Sequence, residues 1–94
     1  MSQVLGFAWY RSDQWERLRS LSSDAHELGT TYEEWRAHAT IRFAELQAKG
    51  LDVRKVDVDV DELAEWCILK KRPVTGEARS EFVAHKLRLQ SGQN

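Results

Sequence analysis

Residues 56–62 read Val-Asp-Val-Asp-Val-Asp-Glu, and the period of the pattern changes inside that stretch. Val56, Val58 and Val60 alternate with Asp57, Asp59 and Asp61, the period-2 signature of a strand with one apolar and one wet face. Leu63, Trp66, Cys67 and Lys70 then recur at three- and four-residue steps, which is helical spacing. Together they require a strand-to-helix junction with carboxylates gathered around it. In a chain of 94 residues that junction belongs to one domain spanning 1–94, and the expected class is α+β or small α/β.

The rest of the chain supplies partners for this junction. Val4 to Tyr10 reads as a strand with unequal faces: Leu5, Phe7 and Trp9 are large, whereas Gly6 and Ala8 are small enough to let another layer or another chain approach closely. Three helix starts carry the capping-box pair, a polar N-cap with Glu three residues on: Asp13 with Glu16, Thr31 with Glu34, Asp59 with Glu62. Helix one runs to about Ser22 and buries Trp15, Leu18 and Leu21, and 26–30 forms a loop pivoting at Gly29.

Helix two, about 32–49, carries the stripe Tyr32, Trp35, Ala39, Phe43, Leu46, and stops at Gly50. Its length of about 27 Å makes it the expected main lid on the sheet. The second strand, about 51–60, shows a phase slip, because Leu51 and Val53 have one parity and Val56, Val58 and Val60 the other. A bulge or bend at Arg54-Lys55, or a strand that begins only there, accounts for it. Helix three covers about 60–71 and stops before Pro73. A last helix opening at Thr75 or Gly76 buries Ala78, Phe82, Val83 and Leu87, and 91–94 is a frayed tail.

The predicted order is therefore β-α-α-β-α-α, a two-stranded sheet covered by about four helices. About forty residues separate the strands, enough for a crossover that would make them parallel and bring Trp9, Tyr10 and Arg11 to the same sheet end as Asp57 and Asp59. An antiparallel pair would separate them, and pattern alone leaves both open. The expected core is Leu5, Phe7, Trp15, Leu18, Trp35, Phe43, Leu46, Val56, Val58, Trp66 and Phe82.

Composition narrows the function classes. Fourteen basic and fifteen acidic residues give a net charge of −1, without the concentrated basic face that duplex binding needs, so nucleic acid is a disfavoured partner. One cysteine, Cys67, allows neither an internal disulfide nor a cysteine zinc site and fits a reducing cytoplasm. No basic-then-apolar leader and no membrane-length apolar run is seen, so the expectation is a cytoplasmic protein without a membrane partner.

Candidate sites are few. Asp57 and Asp59 share a strand face and, with Asp61 and Glu62, offer oxygens to a hard cation such as Mg²⁺. A Ca²⁺ loop of the helix–loop–helix type is excluded, since Glu62 and Ile68 stand where Gly and Glu are needed. Alternation and capping explain the same acids without a metal, and that simpler reading is preferred. Trp9, Tyr10 and Arg11 at a strand end form the second binding candidate, against a reading of Trp9 as core and Tyr10 and Arg11 as surface cover. Cys67 sits on the helix-three apolar stripe as a buried thiol, and His26, His38 and His85 are scattered without metal-ligand spacing. The Lys70-Lys71-Arg72 run fits a helix C-terminus through the helix dipole.

Phe7-Ala8-Trp9-Tyr10-Arg11, Thr31-Tyr32-Glu33-Glu34-Trp35 and Val56-Asp57-Val58-Asp59, with Trp66-Cys67 and the Arg79–Leu87 helix, resemble a group of small bacterial proteins of uncharacterised function. The resemblance implies a stand-alone bacterial cytosolic domain and brings no activity, cofactor or catalytic residue. With no catalytic, metal or cofactor signature, the expected function is a non-enzymatic protein-interaction module. Homodimerisation through the N-terminal strand is its first form, and the alternative is a small metal-dependent hydrolase or nucleotide-handling enzyme using Asp57 and Asp59.

Overall fold

The computed structural model describes residues 4–90. Strand β1 (Val4–Trp9) leads through a 3-10 turn at Ser12–Gln14 into helix α1 (Trp15–Leu21). A second 3-10 turn at Ala25–Leu28 precedes the long helix α2 (Tyr32–Ala48). Strand β2 (Asp52–Asp57), helix α3 (Val60–Leu69) and helix α4 (Gly76–Gln90) complete the fold. The class is α+β and the element order is the one expected from sequence. The anticipated frayed tail at 91–94 lies outside the described residues. No helix among the described residues is long and apolar enough to cross a membrane.

The crossover makes β1 and β2 parallel, in register from Val4 opposite Asp52 to Trp9 opposite Asp57. This register runs unbroken through Arg54 and Lys55, so neither a bulge nor a late strand start explains the phase slip. The cause is that both sheet faces are covered. Leu5, Phe7, Trp9, Val53 and Lys55 share the face under α2, where Phe7 meets Phe43 edge-on at 5.6 Å and Trp9 meets Trp35 at 5.2 Å. Gly6, Ala8 and Val56 share the face under α4, where a Cβ on Gly6 would lie 2.6 Å from Val83 Cγ1. Val53 is buried on one face and Val56 on the other, which produces the change of parity.

The principal lid is α4, contrary to the expectation for α2. Ala78, Arg79, Phe82 and Val83 of α4 are all buried, whereas Ala39 is the only buried residue of α2. Two strands offer too narrow a face to cover the α2 stripe, so Tyr32, Trp35, Phe43 and Leu46 are half-buried. Phe7 and Trp66 are half-buried too, and Leu5 is exposed at 37%. The core proper centres on Tyr10, Trp15, Leu18, Val56, Val58, Val60, Leu63, Cys67, Ala78, Phe82 and Val83.

Thr31 and Glu34 form the full reciprocal capping box. Asp59 accepts from the backbone N–H groups of Asp61 and Glu62, but Glu62 turns instead to Lys86 Nζ at 2.9 Å. The Asp13–Glu16 box does not form, because a 3-10 turn occupies Ser12–Gln14 and α1 begins only at Trp15. Helix α2 ends at Gly50 in the left-handed region (φ 83°), with Leu51 N–H returning to Leu46 O. Helix α3 ends in the same way, but with Lys71 at φ 56° in the glycine position. Arg72 pairs with Glu81 at 2.6 Å and with Glu77 at 3.6 Å, so the basic run is partly neutralised within the fold.

Candidate functional site at the open edge of the sheet

The parallel pairing brings Trp9, Tyr10 and Arg11 to the sheet end that holds Asp57 and Asp59, with Trp9 directly opposite Asp57 and Trp9 O accepting from Val58 N–H at 3.0 Å. At that end the polar groups largely have employment already. Asp59 caps α3, Asp61 meets Arg17 Nε at 2.6 Å, and Arg11 lies 3.6 Å from Asp13. Gln14 Oε1 accepts from Val60 N–H at 3.1 Å, fixing the start of α3 to the turn after β1. Asp57 is exposed, and no group of three or more metal-ligating side chains converges among the described residues. Tyr10 is buried at 4% exposure, not surface cover as its sequence position suggested, while Trp9 is half-buried against Trp35. Burial pushes the Tyr10 hydroxyl pKa up, an effect that the nearby Arg79 guanidinium partly offsets. The same cause raises Cys67, whose thiol is buried and therefore a poor nucleophile.

A different place has unused bonding capacity. Since the Trp9 carbonyl is directed at β2, the alternation of the ladder turns the N–H and C=O groups of Gly6 and Ala8 to the opposite side. Among the described residues the sheet has two strands, so no strand pairs with β1 there. The edge has a built end: Tyr10 O, next in the same alternation, accepts from the Tyr32 hydroxyl at 3.0 Å. Gly6 is exposed even though α4 fills the space on its α4 face.

This edge forms the floor of a groove of about 360 Å³. Its lining includes Gly6, Phe7 and Ala8, three consecutive residues of both parities, and no residue of β2, which places it beside the strand and not over a face. One wall is the N-terminal half of α4, with Arg79, Ser80 and Val83; the other is Glu27 and Leu28 with Trp35. A hollow of about 420 Å³ continues behind Phe7, Leu28 and Trp35 to Ala39.

The α4 wall is held by a buried polar cluster. Arg79 donates to Asp24 Oδ1 at 2.9 Å and to Ser22 Oγ at 3.2 Å, and Asp24 Oδ2 accepts from Gly76 N–H at 2.8 Å. Hydrogen bonding to Arg79 holds the Asp24 carboxyl below its ordinary pKa. The two residues lie 55 positions apart, and neither carries a local sequence signal of the pairing. The opposite wall rests on Trp35, whose ring lies within 5.1–5.9 Å of Trp9, Tyr10, Trp15 and Tyr32.

Comparison with known proteins finds no match. No family model, no curated sequence and no solved structure is similar to this chain. The functional reading therefore rests on the groove and its chemistry.

Proposed function

We propose that this chain is a non-enzymatic cytosolic interaction module that captures an extended segment of a partner protein along the open edge of β1. The observation that carries the reading is the pair Gly6 and Ala8, whose outward main-chain groups, among the described residues, lie unpaired on the floor of a walled groove. Strand addition uses such groups for affinity and the flanking walls for selection. The expected interaction forms four main-chain hydrogen bonds, two at each residue, and ends where Tyr32 seals the Tyr10 carbonyl.

A homodimer through two β1 strands is the second form of the same idea, favoured by the small Gly6 and Ala8 side chains. The position of α4 weighs against it. Neighbouring strands lie about 4.8 Å apart, whereas packed helices need about 8–10 Å. Two copies joined at β1 would bring together two α4 helices, each seated over β1. A bare segment has no such helix. Less support attaches to metal-dependent hydrolysis at Asp57 and Asp59, since the Asp59 carboxylate already caps α3.

The test is random-peptide display panned against the whole protein, with each enriched peptide mapped by amide chemical shifts. Peptides that perturb Gly6 and Ala8 first, and that lose binding in Ala8→Pro, support the reading. Enrichment that maps to another surface, or binding that Ala8→Pro leaves intact in a folded protein, contradicts it. Light scattering across concentration separates the dimer form, which requires a doubling of mass.

A further inference from the structure

Resting on strand addition at β1, the geometry points to the chemistry of the captured segment: a large apolar residue, a small one, and a second large apolar one. An added strand sends successive side chains to opposite faces of the sheet. On the α2 face they meet the hollow floored by Phe7, Leu28, Trp35 and Ala39, which has room for bulky side chains and an apolar surface to cover. His26, Glu27, His38 and Arg42 stand around it; Arg42 is paired with Glu45 at 3.5 Å, and the exposed Glu27 carboxylate, 3.8 Å from His26, borders both this hollow and the groove.

On the α4 face the situation is reversed. Helix α4 sits so close to β1 that Val83 occupies the space where a Gly6 side chain would be. The wall beyond it presents Ser80 and the Arg79 guanidinium, whose charge Asp24 already balances. Only a short side chain fits beside such a wall, and a carboxylate there would compete with Asp24 at close range for the same guanidinium. The expected occupant is thus a segment free of carboxylates, with Leu, Phe or Tyr at alternate positions and Gly, Ala or Ser between them. The chain's own β1 has this alternation, but α2 and α4 already cover both its faces, so the occupant is a partner's uncovered segment.

Two soluble heptapeptides of identical composition test this, one with the core Leu-Ala-Phe and one with Ala-Leu-Phe, each flanked by Ser and terminal Lys. The first can place both large side chains on one face; the second cannot. The alternating peptide should bind at least about tenfold more tightly, the equivalent of one apolar side chain left out of the hollow. N-methylation of the alternating peptide at one parity of its backbone should abolish binding, while the other parity is tolerated. Equal affinity for both peptides, with the N-methyl parity effect intact, would overturn the side-chain chemistry and leave strand addition standing. Indifference to N-methylation at either parity, or no binding of either peptide at millimolar concentration, would overturn strand addition itself.

Discussion

The two edges of the small sheet are built in opposite ways. Strand β2 reads Asp-Val-Arg-Lys-Val-Asp, with charges at Asp52, Arg54, Lys55 and Asp57, and its Lys55 ammonium lies 4.0 Å from the Trp9 ring centroid. Strand β1 reads Val-Leu-Gly-Phe-Ala-Trp and has no charge at all. Charged residues on an edge discourage another strand from pairing with it, and natural proteins commonly guard exposed edges this way. Here one edge is guarded and the other, among the described residues, is left bare inside a groove. An unguarded edge is an aggregation hazard unless it has an occupant, and this contrast is the physical reason for assigning function to β1.

The sharpest way to break the comparison is to loosen the wall that shapes the β1 edge. Asp24→Ala leaves the buried Arg79 guanidinium without its counter-charge, with Ser22 Oγ alone to accept from it, and should cost about 3–5 kcal/mol in denaturant unfolding. Asp52→Ala on the guarded edge removes only an exposed pair to Arg54 and should cost about 0–1 kcal/mol. Comparable losses at the two sites would remove the distinction. The Asp24 contribution also depends on pH. Because its folded pKa is lowered, its stabilisation is present above the unfolded value of about 3.9 and disappears as pH falls through the folded one. Melting curves between pH 5 and pH 3 should therefore show wild type and Asp24→Asn converging towards acid.

Next in size is Gly6→Ala. The added methyl meets Val83 Cγ1, a β-branched side chain on a helix with little rotamer freedom, so a cost of about 1–3 kcal/mol is expected. A neutral or stabilising Gly6→Ala would show that α4 is not seated tightly on β1. The smallest effect belongs to the guarded edge. Lys55→Ala loses an exposed cation–π contact to Trp9 and Phe43, about 0.5–1 kcal/mol by thermal unfolding. It should also make the β2 edge more prone to self-association, which sedimentation at rising concentration would detect.

Much of this was legible in the residues. The Val-Asp alternation located the strand-to-helix junction but not the strand end expected near residue 60: only Val56 and Asp57 of it lie in β2, Val58 and Asp59 form the connection with Asp59 as the cap of α3, and Val60 and Asp61 open that helix. The Thr31–Glu34 pair and Gly50 bracketed α2. Helix α4 follows its Ala78, Phe82, Val83 spacing. The unequal faces of β1 were readable too, and the small face does admit a close layer, which proves to be α4. Other features depended on long-range packing. The strong apolar stripe of α2 promised a lid, but only two strands lie beneath it. Val53 and Val56 are buried on opposite faces, a distinction a parity count cannot make without knowing that both faces are covered. The Asp24–Arg79 pair joins the α1–α2 connection to α4, and neither residue's neighbours announce it. The open edge needed the parallel register, since that register decides which main-chain groups of β1 point away from β2.

The most direct test is residue-resolved amide hydrogen exchange on the free protein. The N–H groups of Phe7 and Trp9 point at β2 and those of Gly6 and Ala8 point into the groove. After correction for intrinsic rates, Gly6 and Ala8 should exchange at least about a hundredfold faster than their two neighbours, since ladder amides approach global protection and unpaired ones do not. Equal protection of all four amides would mean that the β1 edge is already closed, and the account of this protein as a strand-capturing module would fail.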